Sequence, residues 1–235
     1  MHASDPSVVR SRRRRLPMLA VSVALTLACA GIAAAQASAA TITVGVACVV
    51  NPDPASGSPV MVTGAGFTPG DPIALQTTAG GGFGNATADA NGNFTVTITA
   101  PILSTTGPSF SPFTLTATDD LNPLPATPTA TFDVANLAVA TNPMEAKPSK
   151  RVTWSFSGFD SGAEIYVHYL HGKKVVATKA FGRASGTCGT LKTKKVFFPG
   201  KAKYDSYRVQ VDDSRHYSAK SLPHWVATLR THIPL

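Results

Sequence analysis

The chain has 235 residues, 43% hydrophobic and 14% charged, with a formal net charge of +8 and three cysteines. It is too apolar for a disordered chain and too poor in cysteine for a disulfide-dense scaffold, so hydrophobic cores must hold the fold. The charge is uneven: residues 41–136 hold six Asp and no Lys or Arg, whereas 137–235 hold sixteen Lys and Arg against six acids, or −6 against +10. A chain split this way can contact anionic polymer through its second half, or pair the two halves of neighbouring copies.

Residues 1–40 read as a secretory signal peptide. Arg10 and Arg12 to Arg15 form the basic region, an apolar run follows, and AQASAA supplies the small-residue exit, with cleavage after Ala37, Ala39 or Ala40. A membrane anchor is the rival reading, but the run is Ala-rich and only moderately apolar. Ser11-Arg12-Arg13 leaves both the general and the twin-arginine export routes open. Thr26-Leu27-Ala28-Cys29 offers lipid attachment at Cys29, against which stands Thr26 where leucine is usual. No other segment is apolar enough to span a membrane, so a secreted or cell-surface protein is expected.

From Thr41 onward the chain reads as strands. TITVGVACVV alternates with Ile42, Val44, Val46, Cys48 and Val50 on one side, and PVMVTG, PIALQT, FTVTITA, FTLTATD and TATFDV follow. In FTVTITA the core face is Phe94, Val96 and Ile98. Turn-rich segments separate these runs, and none has a helical period, so a β-sandwich or barrel is expected. NLAVATNPMEAKPSK joins the halves, Pro143 and Pro148 interrupting any pairing. Then RVTWSFSG, EIYVHYL, VVATKAF, LKTKKVFF, YRVQVDD and HWVATLRT repeat the plan, with Val152, Trp154 and Phe156 on one face and Tyr166, His168 and Leu170 opposite Ile165, Val167 and Tyr169.

GFTPGDPIAL from Gly66 and GFDSGAEIYV from Gly158 stand at equivalent places, each between the second and third expected strands. Thr68-Pro69-Gly70-Asp71 suits a type II turn, and Asp160-Ser161-Gly162-Ala163 matches it. Phe67 and Phe159 are then plugs at the corner where a strand crosses to the opposite sheet.

VTGAGFTPGDPIALQ with ADANGNFTVTITAP resembles bacterial immunoglobulin-like modules of the IPT/TIG and Big type over most of 41–136. The second half, with RVTWSFSGFDSGAEIYVHYLHGKK, GRASGTCGTL and YRVQVDDSRHY, is similar to an uncharacterised module of secreted actinobacterial proteins. The resemblance implies an all-β protein of two tandem immunoglobulin-like β-sandwiches, 41–136 acidic and 137–235 basic, outside the cell, and brings no catalytic residues with it.

Cys188 in its Gly-rich loop, with His168 and His171 in the same half, raises a Cys-dependent enzyme, but no spacing is diagnostic and an enzyme is not expected. The other readings are a buried free thiol or a disulfide to Cys48: alternation shields Cys48 on a core face, which counts against pairing, whereas an oxidising compartment counts for it. Asp89-Ala90-Asn91-Gly92-Asn93 looks like part of a calcium loop yet is more simply a hairpin turn, and no metal or cofactor is called for. The binding candidates are Lys173 and Lys174 at a hairpin tip and Lys192, Lys194 and Lys195 in one strand, suited to anionic envelope polymer, wall polysaccharide or lipid headgroups. Against this, strand lysines also serve simply to block edge-to-edge aggregation. Nucleic acid is not expected, because no aromatics interleave with base-reading residues. A structural spacer or self-assembling envelope protein is the alternative role.

Overall fold

The computed structural model describes residues 39–78, 84–119, 127–200 and 206–230. The expected signal segment to Ser38, and Cys29 with it, lies outside the described residues. Among the described residues there is no helix, and so none long and apolar enough to cross a membrane. The strands are β1 (Thr41–Val44), β2 (Cys48–Asn51), β3 (Pro59–Ala65), β4 (Pro72–Thr77), β5 (Gly84–Thr87), β6 (Phe94–Thr99), β7 (Phe110–Asp119) and β8 (Thr129–Asn136). They continue as β9 (Ala138–Asn142), β10 (Arg151–Ser157), β11 (Glu164–His171), β12 (Lys174–Arg183), β13 (Leu191–Val196), β14 (Ser206–Asp212) and β15 (Trp225–Arg230).

Four sheets form, in the orders β1-β3-β6, β2-β8-β7-β4-β5, β13-β10-β9 and β12-β11-β14-β15. The first two enclose a core of Val60, Val62, Ile73, Leu75, Leu115 and Phe132 among others; the last two enclose one built on Trp154, Phe156, Ile165, Val167, Phe197 and Val209. Alternation explains the division: along β3, and along β10 as far as Phe156, every second residue is buried while the residues between stay exposed or half-exposed. All ladders are antiparallel except β2 with β8, which is parallel.

Both repeated corners have the expected geometry. Asp71 N donates to Thr68 O at 3.2 Å and Ala163 N to Asp160 O at 3.1 Å, with Gly70 and Gly162 at φ +83° and +80°, the value a type II turn needs at its third position. Phe67 and Phe159 are buried, and each main-chain N–H donates to a glycine carbonyl, Gly92 and Gly189 respectively. Each corner carries the chain from the smaller sheet to the larger one.

Three readings need correction. TITVGVACVV is not one strand: the chain leaves the first sheet after Val44 and joins the second at Cys48, so Val49 takes the buried position and Cys48 is half-buried, off the core face. The first corner therefore follows the third strand, not the second. Within the expected join, AVATN is a strand, β9, on the edge of the β10 sheet, and Leu137 alone separates it from β8. GNAT, which none of the expected strand runs includes, is the edge strand β5.

The described residues belong to one compact unit. Where the two sandwiches meet, Leu137 N donates to Asn51 O at 3.0 Å, Ser157 Oγ to Asn136 O at 2.7 Å and Ser109 N to Ser157 Oγ at 3.2 Å. Thr187 Oγ1 also donates to Asp133 Oδ2, and Val50 of β2 packs against the second core.

Candidate functional site

Cys48 and Cys188 are joined by a disulfide, with their Cα atoms 5.3 Å apart, inside the usual range for such bridges. Cys188 is held in the turn between β12 and β13, and Cys48 lies opposite Asp133 in the parallel ladder. The bridged Cys188 sulfur is no thiolate, and the ring nitrogens of His168 are taken up elsewhere, so the Cys–His nucleophile pair does not form in this state.

The lysines separate into two groups. Lys173 is in the turn and Lys174 opens β12, on the hairpin of the four-stranded sheet. Lys192, Lys194 and Lys195 lie on β13, the edge of the other sheet. On β13 the register sets Lys192 across from Ser155 and Lys194 across from Thr153, on the solvent face of β10, while Lys195 pairs with buried Val152 and turns the other way. The alternation of RVTWSFS that buries Val152, Trp154 and Phe156 also turns Arg151 to that solvent face. Its guanidinium Nη2 donates to the Lys194 carbonyl at 2.8 Å. Arg151, Lys192 and Lys194 thus form a cationic row backed by the hydroxyls of Thr153 and Ser155. Among the described residues none of these three cations is in an ion pair; the Arg–carboxylate salt bridge there is Arg183–Glu164.

Lys192 also lines a cleft of about 330 Å³ between the sandwiches, together with Ser109, Phe110, Ser155, Ser157 and Thr190 among others. Phe110 is 54% exposed there, a large apolar ring beside hydroxyls and one cation. Sequence reading missed Arg151, although the alternation that buries Trp154 carries that signal. It had no means of finding the cleft, which comes from the joint between the sandwiches.

A second polar group was missed altogether. His168 is fully buried on the outer face of its sheet: Nε2 lies 3.1 Å from Asp212 Oδ1 and 3.0 Å from Ser214 O, both acceptors, so Nε2 carries a hydrogen. Nδ1 is 2.9 Å from Thr178 Oγ1. Asp212 accepts further bonds from Ser214 N at 2.9 Å and Gln210 Nε2 at 2.7 Å. Burial pushes the Asp212 carboxyl up, but these hydrogen bonds and the nearby His168 hold it below the ordinary carboxylate range. A depressed carboxyl contributes stability that is present above its unfolded value and lost as pH falls through the folded one. Stability should therefore drop below about pH 4, and Asp212→Asn should flatten that drop while lowering stability at pH 6, read by urea unfolding at both pH values. An unaltered acid profile in Asp212→Asn would show that this carboxylate does not carry the linkage.

Asp89 Oδ1 accepts from Asn91 N at 2.8 Å and Asn93 N at 2.9 Å, which makes the calcium-like stretch a local turn around its own carboxylate.

No family model matches the chain, and no curated protein matches it. Solved structures give weak likenesses. A tetra-tandem repeat from the extending region of a large adhesion protein is 13% identical over 80% of this chain and 47% of that one, with a TM-score of 0.28. The YadV chaperone is 11% identical over 80% and 98%, at 0.28. A Ca²⁺-stabilized adhesin with which an Antarctic bacterium reaches out and binds ice is 17% identical over 83% and 49%, at 0.30. This chain spans about half the length of the two adhesin chains it matches. Likeness at that level transfers no function, and the IPT/TIG or Big resemblance has no family-model support.

Proposed function

We propose that the protein is an exported, non-enzymatic binding module whose solvent-facing β10/β13 surface contacts an anionic envelope polymer. The observation that carries this reading is the row of Arg151, Lys192 and Lys194, held on one solvent-facing sheet surface without an acid partner among the described residues. Three cations on a rigid sheet attract a polyanion at little conformational cost, and each contact is screened by salt. The disulfide at Cys188 supports the non-enzymatic part, because the one nucleophile the sequence raised is bonded.

Lys192→Glu with Lys194→Glu should reduce retention on isolated envelope at low salt by more than tenfold. The melting temperature should hold, since exposed substitutions of this kind stay within about 0.5 kcal/mol. Retention equal to that of the unaltered protein would reject the face. A spacer role has its own support in the covalent and hydrogen-bonded joint, which fixes one sandwich on the other. That reading expects no retention in either protein.

A further inference from the structure

Among the described residues, the second sandwich repeats the strand order of the first with one strand left out. The sheet β9-β10-β13 matches β1-β3-β6, and β15-β14-β11-β12 matches β8-β7-β4-β5. Beyond β8 the first sandwich adds β2, laid parallel, with Val49 opposite Val134 and buried in the core. Beyond β15 no strand pairs. Residues 45–58 let the chain cross from β1 to the larger sheet and return to β3, whereas only 143–150 join β9 to β10. That short join is bound to the residues after β13: Phe197 N donates to Lys150 O at 2.8 Å and Phe198 N to Pro148 O at 2.9 Å.

The seam between β9 and β15 is open as a result. A cavity of about 400 Å³ lies there, lined by Val139, Trp154, Val209, Trp225 and Leu229 among others, with Glu145 and Arg230 as its charged lining residues. On β8 the core residues Phe132 and Val134 are buried, but on β15 the corresponding Trp225 and Leu229 stay half-exposed. The β15 edge is also unguarded. Strand β12 carries Lys174, Lys179 and two register shifts, β13 carries three lysines, and Pro143 follows β9 directly, all features that hinder strand addition. WVATLR has no lysine, no proline and no register shift against β14, and its one charge, Arg230, is at its end. Its outward N–H and C=O groups are open to a further strand.

We propose that this seam takes up an extended segment of another protein, which adds as a parallel strand to β15 and sets alternate apolar side chains into the cavity. The first sandwich contains the same arrangement within one chain: β2 is a short extended segment, parallel on the last strand, with Val49 inserted between the sheets. Main-chain hydrogen bonds to β15 hold the segment, and the cavity selects apolar side chains at every second position. A second copy fits less well. Its own β15 can pair edge to edge, but Trp225 and Leu229 of that copy stay packed on their own core and leave the cavity unfilled. The proposal does not rest on the polymer contact, because Arg151, Lys192 and Lys194 lie on the solvent face of the other sheet.

Both tryptophans of the chain, Trp154 and Trp225, line the cavity, so intrinsic fluorescence reports its occupation. The probe is an N-acetylated, C-amidated peptide KSVTVTVSK, with a control in which proline replaces the central valine and removes one N–H. The expected result is a saturable fluorescence change, with ¹⁵N shifts along β15 and none along the β12 edge. The control should bind roughly tenfold more weakly or worse, because a ladder bond is lost and the ring obstructs pairing. Ala227→Phe, which fills the cavity from β15, should weaken the peptide by roughly tenfold as well. If that variant does not fold, the shift map and the control peptide on the unaltered protein decide. No saturable change, or equal binding of the two peptides, would overturn the proposal. So would a dimer in sedimentation of the protein alone, with β15 shifts on concentration, which would give the edge to a second copy.

Discussion

Removing the bridge by Cys48→Ala with Cys188→Ala should lower unfolding stability by up to ~5 kcal/mol, the scale the chain-entropy model gives for closing a loop of more than one hundred residues. The two cysteines are 140 residues apart in sequence, so the bond removes much freedom from the unfolded chain. The folded geometry should change little. The parallel β2–β8 ladder still holds position 48 opposite Asp133, and the Thr187–Asp133, Leu137–Asn51 and Ser157–Asn136 contacts remain. Urea unfolding with and without reductant reads the effect. The unaltered protein should lose stability on reduction to about the level of the double variant, which should not respond. Two free thiols titrating in the native unreduced protein, with no response to reductant, would refute it.

Trp154→Ala should cost about 3–5 kcal/mol, the range for deleting a large buried aromatic. Trp154 is 1% exposed and stands at the centre of an aromatic group. Its ring is 5.0 Å from Phe181, 6.1 Å from Phe156 and 6.4 Å from Phe197, centroid to centroid. It also lines a cavity of about 400 Å³ between β9 and β15, together with Val139, Val209, Trp225 and Leu229. Those two strands are the edges of their sheets, so little stands ready to collapse into the space the indole leaves. Trp154→Phe should cost much less, because the indole Nε1 has no hydrogen-bond partner to lose. Trp225→Ala, at a half-exposed edge position, should also fall well short. A Trp154→Ala cost under about 1 kcal/mol by urea unfolding would mean the second core is not organised around this ring.

The sequence carried most of the strands because their two-residue period is a direct trace of half-buried sheets. It carried both corners because a type II turn leaves few choices beyond Gly at its third position. TITVGVACVV misled because a change of sheet at Gly45 to Ala47 does not interrupt the apolar/polar alternation, so the break has no signature. Pro143 and Pro148 make the join read as a linker, yet both prolines follow strand β9. The lysine row was half legible: period two put Lys192 and Lys194 together, but only cross-strand register adds Arg151. The His168–Asp212 clamp was not legible at all. Alternation placed His168 on an outer face, and nothing in DDSRHYSAKSLPH announces that this loop folds back to cover it.

The most direct measurement is a ¹⁵N chemical-shift map of the protein titrated with a soluble polyanion such as poly(glycerol phosphate), at low and at physiological salt. The expected result is salt-sensitive shifts centred on Arg151, Thr153, Lys192 and Lys194 and reaching the cleft at Phe110. Shifts confined to the Lys173–Lys174 hairpin, or no shifts on β10 and β13 at any salt, would contradict the proposed polymer contact.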